Sequence, residues 1–221
     1  MSEDEDSLKT CKVVLLGESG VGKTCIISRY INGTFDEGVV STNGASYAGK
    51  TMTFEDMNKS IKFEIWDTAG QEKYRSLTKI FYKDAAVAVL VYDITNAKSY
   101  EELKNYWYNQ IRDSAPRDIV LAIAANKSDL IGEEVVSEGE VRKYAQEIGA
   151  IFMSTSAYNS SGIDELFKEV GHKFLDPSYM QGQPTPQKPK HEIRPSGSGS
   201  GGGFQIGKTD EHKEKKGGCC K

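Results

Sequence analysis

The chain has 221 residues, of which 38% are hydrophobic, which suits one globular domain with polar extensions. Its 28 basic and 32 acidic residues give a net charge of −4, a balance that does not favour nucleic-acid binding. The four cysteines do not have the spacing of a disulfide framework, which favours a reducing, cytosolic setting.

The N-terminal residues 1–9 are acidic, so we expect a flexible segment that is not a secretory signal. Ser2 stands where N-myristoylation needs a glycine. The strongly apolar run at 85–92 is too short to span a bilayer and predicts a buried strand instead.

Short apolar runs alternate with amphipathic segments between residues 10 and 175. Strands are predicted at 12–17, around 46–55, and at 61–66, 85–94, 119–125 and 151–156. Helices are predicted at 22–31, from about 99 to 112, at 137–149, where Ser137 and Glu140 form a capping-box signature, and at 162–174. This alternation predicts an α/β fold of the P-loop NTPase type. It has six strands in a mostly parallel sheet, helices on both faces, and ligands at the carboxyl ends of the strands.

The composition changes after residue 175, where proline-rich, glycine/serine-rich and mixed-charge stretches follow one another. Such a segment cannot bury enough apolar surface to offset the entropy lost on ordering. Residues 176–221 are therefore predicted to form a flexible tail behind one domain at 10–175.

Two stretches fit the phosphate-loop pattern G-x-x-x-x-G-K-[ST]: GESGVGKT at 17–24 and GGFQIGKT at 202–209. The first follows a predicted strand and opens a predicted helix, so backbone N–H groups and the helix dipole can face a phosphate. The second lies between poly-glycine and a charged run, so we assign phosphate binding to the first alone. Lys23 would reach the β- and γ-phosphates and Thr24 would ligate Mg²⁺. The loop residues predicted to contact nucleotide are Ser19, Gly20, Val21, Gly22, Lys23, Thr24 and Cys25.

The motif WDTAG at 66–70 comes directly after a predicted strand. In this position Asp67 can hold Mg²⁺ through water, and Gly70 can direct its backbone N–H to the γ-phosphate. The motif therefore adds a metal ligand and a catalytic backbone donor to the phosphate loop.

The motif NKSD at 126–129 ends another predicted strand and indicates which base is bound. Asp129 can accept hydrogen bonds from guanine N1–H and the exocyclic amine, a donor pair that adenine lacks. Asn126 can tie this loop to the phosphate loop, while the Lys127 stem lies along the base. In STSA at 154–157 we place Ser156 and Ala157 at the nucleotide, with the Ala157 N–H facing guanine O6.

In this ordered set of motifs the chain resembles the Ras superfamily of small GTPases, and more narrowly the Rab family, over about residues 10–175. The Rab-like stretches are STNGASY (41–47), EIWDTAGQEKY (64–74), YRSLT (74–78), FYKDAA (81–86) and LVYDIT (90–95). STNGASY and YRSLT are most similar to the endosomal branch. The resemblance implies a GDP/GTP switch in vesicle traffic, with two switch segments near 34–46 and 68–80.

The resemblance also implies roles for single residues. Thr42 would ligate Mg²⁺ and contact the γ-phosphate in the GTP state, and Phe35 would lie edge-on to the guanine. Gln71 would orient the attacking water, so the implied catalytic residues are Gln71, Lys23 and Gly70. The implied effector-facing aromatic residues are Tyr47, Trp66 and Phe81, although three half-buried aromatic side chains are also common in a domain core.

Three residues depart from the family pattern. Asn43 stands where Rabs usually carry isoleucine, which makes the effector surface more polar. Tyr158 replaces the lysine of the usual S-A-K motif, and Ser154 replaces the usual glutamate. None of these positions is expected to contact the phosphates. Ser19 occupies the loop position where a bulky side chain would impair hydrolysis, and serine is small enough to be compatible with it.

The ending GGCCK places Cys219 and Cys220 just before Lys221. A C-a-a-X box would need cysteine at position 218, which is glycine. The pair resembles the Rab double-cysteine ending, which carries two geranylgeranyl chains, and two lipids anchor a protein far more stably than one.

The resemblance implies Mg²⁺ and GTP or GDP as ligands, slow intrinsic hydrolysis, and a monomeric domain. Its expected partners are an exchange factor, a GTPase-activating protein, a GDP-dissociation inhibitor and effectors. Its expected location is the cytosol and the cytoplasmic face of intracellular, endosomal membranes. Three alternatives stay open: a secretory Rab, a GTP-bound scaffold with negligible turnover, and a P-loop kinase or ATPase, which NKSD disfavours.

Overall fold

Six stretches of the chain pair into one sheet in the computed structural model, which describes residues 8–38, 42, 45–68 and 80–179. All of these residues lie in one unit, Met1–Gln183. The strands are β1 (Lys9–Leu16), β2 (Ala45–Phe54), β3 (Lys59–Thr68), β4 (Val87–Asp93), β5 (Val120–Asn126) and β6 (Ile151–Ser154). Their spatial order is β2-β3-β1-β4-β5-β6, with β2 and β3 antiparallel and every other pair parallel. The predicted six-stranded, mostly parallel sheet is confirmed.

Helical segments of the described chain connect these strands. The α-helices are α1 (Lys23–Asn32), α2 (Ala97–Glu102), α3 (Tyr108–Ser114), α4 (Glu138–Glu147) and α5 (Ile163–Leu175). A π-helix (Leu103–Trp107) joins α2 to α3, and 3₁₀ turns cover Glu55–Met57 and Ser128–Glu133. In the described part of the chain, every helix is too short or too polar to be a membrane span.

The two faces of the sheet carry separate cores, as strand alternation requires. Val13 and Leu15 of β1 belong to the cluster that includes residues of α1 and α5, such as Ile26 and Phe167. Their neighbours in β1, Val14 and Leu16, belong to the cluster formed with α2, the π-helix, α3 and α4. Helices therefore cover both faces of the sheet, as predicted.

The predicted helix at 99–112 is interrupted by the π-helix. Its buried hydrophobic residues are Tyr100, Leu103, Trp107 and Ile111, so the later ones recur every four positions. Because an α-helix has about 3.6 residues per turn, side chains spaced four apart gradually rotate away from one face of it. The wider i→i+5 turn of the π-helix keeps these side chains facing the sheet. At the π-helix, Trp107 Nε1 donates to Glu18 Oε1 of the phosphate loop at 3.1 Å.

The capping box predicted at 137–140 does not form. Ser137 occupies the N-cap of α4, but its side chain makes no capping hydrogen bond. Glu134 Oε1 accepts from the Glu138 N–H at 3.1 Å, so a carboxylate from the preceding turn satisfies one first-turn donor instead.

Two strands differ in their bounds from the predicted ones, because polar residues at their ends take part in the backbone pairing of the sheet or do not. The strand predicted at 12–17 begins earlier because Lys9 and Thr10 pair with β3 through backbone groups, whatever their side chains. The strand predicted at 151–156 ends at Ser154, and the Ser156 N–H instead donates to the Ser161 carbonyl at 2.9 Å.

Gly171 in α5 lies against the ring of Phe54, and an added Cβ would overlap two ring atoms and crowd a third. Phe54 is buried and contacts His172 edge-to-face, so its ring has no space to retreat. Gly171→Val should therefore lower the free energy of unfolding by about 1–3 kcal/mol. Urea denaturation measures this, and Gly132→Val is the matched control because a Cβ at Gly132 meets no atom within 4 Å. Equal midpoints for the two variants would contradict the packing argument.

Candidate functional site

A cavity of about 710 Å³ opens where β1 and β5 end, bounded by the phosphate loop, residues 126–130 and residues 157–158. The structure places twelve of the predicted nucleotide-contacting residues in its lining: Ser19, Gly20, Gly22, Lys23, Thr24, Cys25, Phe35, Thr42, Asn126, Lys127, Asp129 and Ala157. Val21 and Ser156 are buried behind the lining instead. The size suits a small-molecule ligand.

The phosphate loop approaches the loop after β5 so closely that one position requires glycine. Gly22 has φ +96°, and an added Cβ would overlap the amide of Asn126. Gly22 is also the N-cap of α1, where no side chain caps the helix and no acidic residue occupies the first turn. The positive end of the helix dipole therefore faces the cavity with no acidic residue of α1 itself to offset it.

Lys23 is 6% exposed, and its Nζ donates to the carbonyl oxygens of Gly17 and Glu18, each at 2.8 Å. Burial lowers the pKa of Lys23 to about 8, although Asp67 and Glu18 oppose this shift. Burial removes the water that would stabilise the charged ammonium group, and an anion in the cavity would stabilise it instead. The position of Lys23 therefore fits a lysine that binds phosphate.

Three oxygen-bearing side chains converge beside Lys23. Thr24 Oγ1 lies 2.6 Å from both Asp67 Oδ2 and Thr42 Oγ1, and Thr42 Oγ1 lies 3.4 Å from the same Asp67 oxygen. Asp67 is 1% exposed, and burial raises the pKa of its carboxyl group. The fold brings together Thr24 of α1, Asp67 of β3 and Thr42 of the segment before β2.

These residues fit a hard divalent cation. Asp67 Oδ1 is buried and makes no hydrogen bond within the described part of the chain, so one carboxylate oxygen has a vacant lone pair. One carboxylate and two hydroxyls match the oxygen ligands that Mg²⁺ takes when phosphates complete its shell.

At the end of β5, beside the phosphate loop, Asn126 joins three loops. It is 1% exposed, its Nδ2 donates to the Val21 carbonyl at 2.8 Å, and its Oδ1 accepts from Thr155 Oγ1 at 3.2 Å. The Ser128 N–H donates to the Thr155 carbonyl at 3.0 Å. Asn126 thereby positions the phosphate loop relative to residues 128–129.

Asp129 lines the cavity and accepts a hydrogen bond from the hydroxyl of Ser156. We expected Ser156 to contact nucleotide; its side chain is instead fully buried and orients this carboxylate. Lys127 has φ +66°, and its Nζ lies 2.6 Å from Asp93 Oδ2 at the end of β4. This ion pair holds the lysine stem along the cavity wall.

The three predicted effector-facing residues form one aromatic row on the outside of the domain. The Tyr47 and Trp66 rings are 5.5 Å apart, as are the rings of Trp66 and Phe81. Tyr47 is 50% exposed, and Trp66 and Phe81 are half-buried. The row is partly core and partly surface, and its effector-facing role stays a prediction.

Three residues that support the site were missed in the sequence. Arg29, Asp93 and Thr155 act through backbone carbonyls or through other side chains; Arg29 belongs to no motif, and Asp93 and Thr155 are positions of LVYDIT and STSA to which no role was given. Asp93 alone had a signal, since it ends a predicted strand next to the ligand edge of the sheet.

Several predicted features lie outside the described residues. These are Gly70, Gln71 and Asn43, the second phosphate-loop pattern at 202–209, and the cysteines Cys219 and Cys220. The roles proposed for them stay predictions from the sequence.

Comparison with known proteins bears on the whole domain. The Ras family model matches residues 12–176. Ras-related protein Rab-22A of Homo sapiens is 44% identical over 167 residues, which are 76% of this chain and 84% of the relative. Ras-related protein Rab5A of Oryza sativa subsp. japonica is 38% identical over 180 residues, 81% of this chain and 87% of the relative. Ras-related protein Rab-31 of Mus musculus is 36% identical over 214 residues, 97% and 99% of the two chains.

Proposed function

Since the chain belongs to the Ras family, and within it to the Rab small GTPases, we propose that its GTP switch acts in endocytic traffic. Members of this family are GTPases that regulate membrane traffic. The endocytic assignment is supported by the stretches at 41–47 and 74–78 and by similarity to proteins named Rab-22A, Rab5A and Rab-31.

One observation carries the nucleotide assignment: the two ends of a single cavity have complementary chemistry. One end is lined by the buried Lys23 and by Thr24, with Asp67 bonded behind Thr24, while Asp129 lines the other. A guanine nucleotide has phosphates at one end and the N1–H and amine donors at the other. A kinase or ATPase would have no use for the carboxylate at the base end.

In the proposed mechanism Lys23 donates to the β- and γ-phosphates, and Gly70 directs its N–H to the γ-phosphate. Thr24, Thr42 and Asp67 would hold Mg²⁺, which neutralises charge that develops on the phosphate oxygens. Gln71 orients the water that attacks the γ-phosphorus. No arginine of the described lining adds to this charge stabilisation, so a GTPase-activating protein is expected to supply one.

The direct test is to identify the nucleotide that the purified protein releases on denaturation. We expect GDP or GTP in about equimolar amount, since the family binds guanine nucleotide tightly. Release of adenine nucleotide, or of none from a folded protein that also fails to bind added GDP, would contradict the proposal.

Gln71→Leu should slow single-turnover release of γ-phosphate by about tenfold or more, because the attacking water loses its orienting group. Nucleotide affinity should stay unchanged, since Gln71 makes no ground-state contact in this mechanism. The same measurement on wild type separates the switch from a GTP-bound scaffold, which would release no phosphate. Hydrolysis at the wild-type rate in Gln71→Leu would remove Gln71 from the mechanism.

Membrane attachment is proposed to use geranylgeranyl groups on Cys219 and Cys220. A GDP-dissociation inhibitor would carry the lipidated protein through the cytosol to the cytoplasmic face of endosomes, and an exchange factor would activate it there. Effectors would dock on the row of Tyr47, Trp66 and Phe81. A secretory membrane is the alternative. Localisation of the tagged protein with its two cysteines distinguishes the compartments, and the same measurement without the two cysteines tests the attachment.

A further inference from the structure

The phosphate loop is anchored by a side chain from outside its own motif. Trp107 ends the π-helix and is fully buried, and its Nε1 donates to Glu18 Oε1 at 3.1 Å. A buried indole N–H is costly without an acceptor, so this bond holds the Glu18 side chain against the π-helix. The π-helix therefore acts on the cavity although its own residues are not part of the described lining.

Glu18 also contacts the lysine at the phosphate end of the cavity. Its backbone carbonyl accepts from Lys23 Nζ at 2.8 Å, as does the carbonyl of Gly17 beside it. Whichever carbonyl the ammonium group keeps when nucleotide binds, the positions of both depend on the backbone at 17–18. Glu18 thus joins the indole, through its side chain, to the ammonium group, through its main chain.

Glycines make the backbone of this loop permissive, so its shape depends on anchors outside it. Gly17 and Gly20 have φ of +148° and +80°, conformations that glycine adopts readily. Asn126 anchors the far side of the loop by donating to the Val21 carbonyl at 2.8 Å. The loop is therefore held on one side by a residue of NKSD and on the other by the π-helix.

We propose that Trp107 is a positioning residue for phosphate binding, which acts through Glu18 to fix the carbonyl groups that hold the Lys23 ammonium group. This inference rests on the proposed function, because it takes Lys23 as the group that binds the β- and γ-phosphates. Trp107 itself touches no nucleotide in this arrangement. Its effect is therefore confined to nucleotides that carry a β-phosphate.

Trp107 also packs in the core cluster between the sheet and α2, α3 and α4, so the test has to separate positioning from packing. Trp107→Phe keeps an aromatic ring in the cluster and removes the N–H donor. Urea denaturation measures the packing that is lost. The ratio of the affinities for GDP and GMP measures the positioning, since a loss of packing alone has no reason to depend on the β-phosphate.

The test is equilibrium competition of GDP and of GMP against a fluorescent GDP analogue. Trp107→Phe should weaken GDP binding about three- to tenfold, the value of one hydrogen bond, and leave GMP binding unchanged. Tyr100→Phe is the matched control, because it removes a hydroxyl from the same cluster. That hydroxyl is buried and has no hydrogen-bond partner in the part of the chain that the structure describes, so neither affinity should change.

Substitution of Glu18 tests the same chain of contacts from its other end. Glu18→Gln keeps an oxygen acceptor for the indole, so Trp107→Phe should still weaken GDP binding in that background. Glu18→Ala removes the acceptor and should weaken GDP binding but not GMP binding, and adding Trp107→Phe should then have no further effect. Glu18 is only half-buried, so Glu18→Ala keeps the proposal testable if Trp107→Phe fails to fold.

Three results overturn the positioning role: an unchanged GDP affinity in folded Trp107→Phe, an equal loss of GDP and GMP affinity, or a full Trp107→Phe effect in the Glu18→Ala background. None of them affects the GTPase assignment, which stands as long as wild type binds GDP more tightly than GMP. Folded wild type that fails to bind GDP would overturn the proposed function and the positioning role together.

Discussion

Lys23→Ala should lower the affinity for GDP and GTP by about 100-fold or more. The ammonium group is buried, and an alanine leaves no other cation at the phosphate end of the described cavity lining. Each charge-assisted hydrogen bond to a phosphate oxygen contributes about 1.5–3 kcal/mol. Two of the three Nζ donors bond to the Gly17 and Glu18 carbonyls in this structure, so contact with both phosphates requires Lys23 to exchange one carbonyl for a phosphate oxygen. Equilibrium titration with a fluorescent nucleotide measures the loss.

The chain contains its own control for this substitution. Lys208 occupies the same position in the pattern at 202–209 as Lys23 does in 17–24. Lys208→Ala, or deletion of 202–209, should leave nucleotide affinity unchanged, because that stretch has neither a strand before it nor a helix after it in the sequence. A loss of affinity in Lys208→Ala would show that the assignment of phosphate binding to 17–24 alone is wrong.

Asp129→Asn should change the preferred base from guanine to xanthine. Asp129 Oδ1 accepts from Ser156, so the amide oxygen of asparagine takes that place and the NH₂ group turns towards the base. Xanthine carries an oxygen where guanine carries its amine, and that oxygen can accept from the amide. Affinity for GTP should fall about 10²- to 10⁴-fold, while that for xanthosine triphosphate rises.

Competition binding of the two triphosphates gives the ratio directly. Ser156→Ala is the matched variant, since it removes the orienting hydroxyl but keeps the carboxylate. It should weaken GTP binding without improving xanthosine triphosphate binding. An unchanged preference in Asp129→Asn would mean that another group reads the base.

Fold class and most of the cavity lining could be predicted because they follow from local patterns. Apolar runs mark buried strands, and glycines before Lys23 mark a loop that must bend around an anion. These signals are contained in a few consecutive residues, so they do not depend on how the chain folds elsewhere. The remaining supports depend on contacts between distant residues.

Arg29 illustrates the difference. In sequence it is an ordinary basic residue in the last turn of a helix, yet it binds carbonyls of residues 157 and 158. Ser156 likewise belongs to an uninformative STSA stretch, and its role depends on the 3₁₀ turn that brings Asp129 beside it. Glu134 replaces the capping residue expected at Ser137 because the preceding turn happens to return to the helix N-terminus. Sequence spacing carries no signal for such meetings.

The π-helix has a spectroscopic consequence. The chain contains two tryptophans, and the wide turn places the indole of Trp107 against Glu18 of the phosphate loop. Trp66 lies in the aromatic row on the outer face. Intrinsic emission therefore mixes two reporters, one for the phosphate end and one for the docking face. In Trp66→Phe the remaining tryptophan fluorescence comes from Trp107 alone, so the protein can report the loading of its own phosphate loop without any attached dye.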